Sequence, residues 1–453
     1  MVNESAAGSD RDGVLNRYFG LTSSGSTISR EVIAGLTTFG AMSYIMAVNP
    51  AILSAAGMDR QELIITTGLA AIFGCLVMAL TANLPVALAP GMGSNIVFAQ
   101  IVVIQLGVSY QTALTMVLVS GTLFLILSLT RAREQIVRGF PEAIRLGIQC
   151  GIGLFIAYLG LRNGGILVVG DGSVSFGDLS RPAVLLTFLG LLVTPVLIAL
   201  KIPAAFLVSI IGLTLIGLFV PSGTDNSVTP IPDRILDFPI FPSSIFLAFN
   251  FNEFFSNFFL LLPITLYFFI SDFFSSTATL IGVTRRGNMM TEGGEIPNAR
   301  AAFTADAAAT VVGSALGTST VTTYIESASG VEAGGRTGLT AIVVAALFCL
   351  SLFLWPLVAI IPAQATSPAL VLVGVLMMEG IRDLDVTEPE NAIAPIMTLL
   401  ITVTTTNLIM GIAMGCFVYT LIVIARRRWE HVTPMLIGLD VIFLIFIYLS
   451  QGI

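Results

Sequence analysis

The chain has 453 residues, 55% of them hydrophobic and only 10% charged, with a net charge of −7 and a mean hydropathy of +0.95. Soluble globular domains carry about 25% charged residues, so a soluble enzyme is excluded. No basic tract for nucleic acid is present, and the single histidine, His431, leaves no histidine set for a catalytic metal.

Residues 1–30 form a polar tail (Asp10, Arg11, Asp12, Arg17) that does not read as a cleavable signal peptide and is expected in the cytosol. From there the apolar runs are unbroken for about 15 to 25 residues, whereas barrel strands would alternate, so the expected class is an all-α membrane protein. Breaks at Pro, Gly and charged residues give spans at 31–55, 62–82, 84–105, 110–129, 141–163, 182–200 and 203–220. A polar loop with Asp225, Asp233 and Asp237 follows, and seven more spans are expected at 254–282, 299–315, 317–333, 338–361, 366–381, 391–406 and 408–425. The last run, Leu436 to Ser450, is short and interrupted by Asp440, and is read as a segment packed at the membrane face.

The basic residues test this count, because short cytosolic loops collect Arg and Lys. With the N-terminus inside, Arg131, Arg133, Arg138, Lys201, Arg285, Arg286, Arg336 and Arg426 to Arg428 all fall on the cytosolic side. Reading 391–425 as one helix would turn the last cluster outward. Seven spans followed by seven start the second half from the opposite side, the arrangement of an inverted repeat. The third span of each half is broken at a matching place, Ala89 to Asn95 (APGMGSN) and Gly317 to Thr323 (GTSTVTT). Pro90 removes an amide donor, Gly91 and Gly93 weaken the helix, and the Thr and Val run favours a strand. Such paired breaks point to a transporter's binding site.

Ionisable residues within apolar spans are expensive and are functional candidates by default. Asp272 lies in the eighth span, Asp306 in the ninth and Glu326 just after the break of the tenth. A carboxylate in such a layer can take up and release a proton and accept hydrogen bonds from ring N–H groups. Asp272 and Glu326 are read as site acids, Asp306 as a supporting acid bonded to neighbouring hydroxyls. Ser275, Ser276 and Thr279 continue the polar face of Asp272, and Ser43 and Tyr44 precede the Asn49-Pro50 break; interhelical hydrogen bonding is the competing role for these hydroxyls. Asn49-Pro50 is read as a kink, Asn95 as an amide offering donor and acceptor to a planar ligand, and Glu332 with Arg336 as an i, i+4 ion pair. The four cysteines, Cys75, Cys150, Cys349 and Cys416, all sit in apolar segments as small hydrophobes.

At these residues the chain resembles the AzgA-like purine (hypoxanthine, guanine, adenine) permeases of the nucleobase:cation symporter-2 superfamily. The likeness is carried by Arg30 to Phe39, Val48 to Leu53, Pro90 to Gly93 with Asn95, Gly151 to Ala157 and Gly317 to Gly338. The resemblance implies a fourteen-span inverted repeat with short strands in spans 3 and 10. It divides the chain into a core domain (31–129 and 254–361) and a gate domain (130–220 and 362–425), with an extracytoplasmic loop at 221–253 and a terminal segment at 426–453. It further implies elevator-type proton symport across the plasma membrane and a homodimer joined through the gate domains. Asp272, Glu326 and Asn95 would hold the purine, with Ser275, Ser43, Thr323 and Ile325 framing it; Glu326, Asp272 and Asp306 would couple the proton, and no other cofactor is implied. The sequence departs from the family pattern at Ser275, where a second acid is usual, and at Ser94-Asn95-Ile96, where Leu-Asn-Ala is common. Uracil or xanthine transport is the close alternative. An anion carrier of the sulfate-permease type is disfavoured by a site with two carboxylates and no Arg or Lys, and an embedded enzyme by the lack of any nucleophile with its base.

Overall fold

A computed structural model describes residues 13–130, 141–170, 173–222, 226–291, 294–383, 385–405 and 407–450. Asp10, Arg11, Asp12, Arg131, Arg133, Arg138 and Asp225 lie outside the described residues. In chain order come α1 (Ile28–Met42), α2 (Ile45–Leu53), α3 (Arg60–Val77), β1 (Leu88–Pro90), α4 (Met92–Ile96), α5 (Tyr110–Leu129) and α6 (Glu142–Asn163). A hairpin of β2 (Leu167–Gly170) and β3 (Ser173–Phe176) follows, then α7 (Pro182–Ala199), α8 (Ala205–Gly217), α9 (Phe258–Arg286) and α10 (Ala299–Leu316). The chain continues through β4 (Val321–Thr323), α11 (Ser327–Glu332), α12 (Gly338–Ser351), α13 (Ala363–Met377), α14 (Pro389–Thr405), α15 (Leu408–Ala425) and α16 (Pro434–Ser450).

Helix starts follow local capping chemistry. The side chains of Thr27, Asp59, Ser109 and Asn407 accept backbone N–H groups of the first turns of α1, α3, α5 and α15. Eight helical stretches among the described residues are at least 18 residues long and apolar enough to cross a bilayer, counting α1 with α2 as one. Their outer faces carry bare leucine and valine; α7 is 22% buried along its apolar window against 72% for α6, which marks α7 as a peripheral helix.

The two expected breaks are strands, and they pair with each other. Antiparallel register sets Leu88 opposite Thr323, Ala89 opposite Thr322 and Pro90 opposite Val321. Asn83 (φ 53°) turns the chain out of the wide last turn of α3, and Gly317 (φ 96°) ends α10 where an added Cβ would meet Ile245 Cβ at 2.7 Å. A side chain would be strained at Gly317 on both counts. The pair closes two runs of backbone that no helix satisfies, which is the condition for extended chain inside a bilayer.

By packing, α1 to α5 form one set with α9 to α12, and α6 to α8 form a second with α13 to α15. The sets meet where α1 touches α8, α2 touches α13 and α4 touches α6. Phe124 of α5, Phe269 and Phe273 of α9 and Phe303 of α10 form an edge-to-face and stacked cluster beside Asp272, fixing the rotation of α9. The terminal run is one helix, α16, lying against α9 and α15; Asp440 accepts a hydrogen bond from Thr420 Oγ1 at 2.6 Å.

Candidate functional site

The register places the site's polar groups by simple alternation. Gly91 N–H donates to Thr320 O at 2.8 Å and Tyr324 N–H to Ala87 O at 3.0 Å. With alternate residues bonded across the pair, the backbone groups of Val321 and Thr323 face away from β1. That outward edge has no third strand; α10 satisfies it with side chains. Thr310 Oγ1 accepts Val321 N–H at 3.1 Å and lies 2.9 Å from Val321 O, while the Thr323 amide is turned to the Asp306 carboxylate.

Asp272 and Asp306 approach this edge from α9 and α10. Asp272, 3% exposed, takes the Thr310 hydroxyl on Oδ2 at 2.7 Å, and its Oδ1 is buried without a hydrogen-bond partner among the described residues. Asp306 is fully buried; Ser276 Oγ donates to its Oδ2, and its Oδ1 is likewise unpartnered. Ser276 Oγ also lies 2.9 Å from Thr322 Oγ1. Two acids in one dry layer, each with a free oxygen, need a proton, water or ligand donor to complete them.

Glu326, the third residue after β4, accepts the Tyr44 hydroxyl on Oε1 at 2.6 Å. The Tyr44 ring, 1% exposed, packs against Phe206 of α8 with centroids 5.2 Å apart, so this bond sits where the two helix sets meet. Tyr324 donates its hydroxyl to Pro90 O at 2.5 Å, an acceptor on the proline that cannot donate.

Asn95 is drawn inward. Its Nδ2 donates to Asn49 Oδ1, whose own Nδ2 donates to Thr67 Oγ1 at 2.7 Å and to Thr318 Oγ1 at 3.2 Å. The Asn95 Oδ1 is buried and unpartnered among the described residues, the one group left for a donor. Asn49 therefore does more than mark a kink: α2 runs through Pro50, and Asn49 ties α2 to α3 and to the start of the β4 segment.

The remaining candidates separate. Thr323 and Ser43 are buried with hydroxyls unpartnered among the described residues. Ser275 is exposed, and Ser276, one position on, reaches the acid layer instead. Ile325 is 52% exposed beside Gly282. The expected pair of Glu332 with Arg336 is not formed: Glu332 accepts from Arg286 at 3.0 Å, and the Arg336 guanidinium donates to Val331 O and Gly335 O, both at 2.7 Å. Bonding to the carbonyls that end α11 outcompetes an exposed ion pair, which gains little in water. Nearby, the buried Glu31 carboxylate accepts Arg336 N–H at 3.0 Å, Thr337 N–H at 3.3 Å and the Thr340 hydroxyl at 2.5 Å, fixing α1 to the start of α12.

Thr310 was invisible as a site residue, being one hydroxyl among alanines (TADAAATVV). Its only local signal is the i, i+4 spacing from Asp306, which puts both on one face of α10.

Known proteins share this arrangement of chain. A model described as a permease family, Xan_ur_permease, matches residues 29–414. The chain belongs to this permease family. It is 38% identical over 437 residues to the guanine/hypoxanthine permease PbuO of Bacillus subtilis, covering 95% of this chain and all of that one. It is also 38% identical over 434 residues to the adenine permease AdeP of Escherichia coli, covering 96% of each. Among solved structures, the transmembrane domain of the bicarbonate transporter BicA from a cyanobacterium superposes with a TM-score of 0.60 at 16% identity, covering 85% of this chain and 97% of that one. That likeness concerns the fold alone. The permease family and the apolar helices make this a multi-pass helical membrane protein, and the purine-permease resemblance of its motifs holds across nearly the whole chain.

Proposed function

We infer that this permease imports purine nucleobases together with protons. The observation that carries the reading is the pair Asp272 and Glu326, brought to one interrupted stretch of backbone with no described Arg or Lys bonded to either. Carboxylates of this kind accept ring N–H groups of an uncharged heterocycle, and Asp306 adds a third titratable group. Asn95 Oδ1 and the hydroxyls of Thr323 and Ser43 supply further unsatisfied polar atoms, while Ser275 and Ile325 lie at the exposed margin. Relatives named as guanine/hypoxanthine and adenine permeases favour those three bases over uracil or xanthine.

The element order supports fourteen spans in two inverted halves, with β1 and β4 interrupting corresponding spans. The packing sets support a core domain (31–129 and 254–361) that moves as an elevator against a gate domain (130–220 and 362–425). In this reading the protein sits in the plasma membrane with a cytosolic N-terminus and pairs through its gate domains. The bicarbonate carrier's fold is similar, but an anion finds no described cationic side chain at this site to receive it.

Uptake of radiolabelled hypoxanthine, guanine and adenine by cells expressing Asp272→Asn or Glu326→Gln tests the reading. Each variant should reach the membrane and lose uptake. Parental rates in both would overturn the assignment, and stronger competition by unlabelled uracil or xanthine than by hypoxanthine, guanine and adenine would move it to the uracil or xanthine class.

A further inference from the structure

Thr310 has one hydroxyl proton and two acceptors for it. Oγ1 lies 2.7 Å from Asp272 Oδ2 and 2.9 Å from Val321 O, and it already accepts Val321 N–H at 3.1 Å. A threonine hydroxyl donates once and accepts twice. Several helix threonines, among them Thr37, Thr265 and, on the same helix, Thr304 at 2.8 Å from Arg300 O, spend that proton on the carbonyl four residues back. Thr310 instead reaches sideways to the free edge of β4.

From this geometry we propose that the Thr310 hydroxyl is a positioning switch through which proton occupancy of Asp272 sets the order of β4 and, with it, the grip on the base. With Asp272 ionised, the hydroxyl donates to the carboxylate, the stronger acceptor, and the buried Val321 C=O is left without that donor. When Asp272 takes a proton from water onto Oδ2, that oxygen donates to Thr310 Oγ1. The hydroxyl then rotates and donates to Val321 O. No proton leaves Thr310, and both backbone groups of Val321 are satisfied. The chain runs from Val321 through Thr323 and Tyr324 to Glu326, so an edge bond gained at Val321 favours the arrangement in which Glu326 is held by Tyr44. Base affinity therefore rises as Asp272 is protonated.

Other charges around Asp272 are accounted for. Among the described residues α4, α5 and β4 bring none, and α10 brings Asp306, bonded by Ser276, and at its first turn Arg300, which donates to Leu129 O at 2.9 Å. Glu332 of α11 pairs with Arg286 at the end of α9, Asp440 of α16 accepts from Thr420, and Glu253, just before α9, accepts from Ser109 and Thr112. Arg145 of α6 stands over the Phe274 ring, 5.4 Å from its centroid, and pairs with Glu142.

This inference rests on the proton-coupled reading above, and its test separates the two. Hydrogen–deuterium exchange of the segment 318–326 is followed in the purified full chain from alkaline to acid pH, corrected for intrinsic exchange. Wild type and Thr310→Ser should gain protection on acidification. Thr310→Val should not, and Asp272→Asn, whose amide donates to Thr310 at every pH, should be protected throughout. In parallel, binding of radiolabelled adenine, guanine and hypoxanthine should tighten by about fivefold or more at acid pH in wild type and Thr310→Ser, and by less than about twofold in Thr310→Val. Exchange that ignores pH in the wild type, a wild-type profile in Thr310→Val, or a flat one in Thr310→Ser overturns the switch. Because the serine variant keeps the hydroxyl, its result decides the matter even where the valine variant fails to fold. Base affinity that tightens at acid pH with no change in strand protection overturns the switch and leaves the proton-coupled reading standing; wild-type affinity that ignores pH overturns both.

Discussion

At the scale of single residues, the acid layer works through hydroxyls that hold carboxylates in place. Tyr44 is the clearest case, since its hydroxyl reaches Glu326 Oε1 at 2.6 Å while its ring stays in the core. Tyr44→Phe keeps the ring and removes the bond. The half-saturating base concentration should rise about tenfold, the equivalent of about 1.4 kcal/mol for a hydrogen bond to a charged acceptor, with little loss of protein; an unchanged value in uptake assays would show that Glu326 needs no such support. The acids themselves were legible in the sequence, because a carboxylate inside an apolar run advertises its cost. The partners were not. Asn95 meets Asn49 across 46 residues, Asn49 meets Thr318 across 269, and Tyr44 meets Glu326 across 282. Separations of that length carry no periodic signal, so the sequence marks Asn49 only as a kink beside Pro50 and does not single out Thr310.

At the scale of elements, the strand breaks were written in Pro90, Gly91 and the Thr-Val run, yet only the register shows that they bond to each other. Close helix approach is made at Gly153 on α6. An added Cβ at Gly153 would meet Gly374 O at 2.5 Å and Met377 Cβ at 2.9 Å. Gly153→Ala should push α6 from α13 and cost about 1–3 kcal/mol, seen as a lower unfolding temperature of the purified protein. A second element-scale device joins α14 to the end of α15: Arg426 and Arg428 each bridge Glu388 and Glu390. Hydrogen bonds from Arg428 and Arg426 pull Glu388 from 4.5 down to about 2. A depressed carboxyl favours the folded state at every pH above its unfolded value, and that contribution drains away as pH falls from about 4.5 towards 2. Glu388→Gln should remove this slope, so wild type and variant should converge in thermal stability at the acid end of that window and part above it.

At the scale of the whole molecule, the two helix sets touch where α1 meets α8, α2 meets α13 and α4 meets α6, and the proposed elevator motion would slide one against the other. An added Cβ at Gly40 of α1 would lie 3.2 Å from Ala204 Cβ, just before α8. Disulfides span Cβ separations of about 3.5–4.5 Å, so Gly40→Cys with Ala204→Cys, in a chain whose exposed Cys349 is replaced by Ser, should cross-link with a small adjustment. Oxidation should stop uptake and a reductant restore it; full uptake with the disulfide complete would show that the sets do not slide. The terminal helix α16 bears on the same motion from outside. It lies along α9, the helix that carries Asp272, and is stitched to α15 by the bond from Thr420 to Asp440. One strap thus spans both sides of the seam, and under the proposed elevator motion the stroke would be no longer than the distance this strap will stretch or roll before it drags its neighbours to a halt.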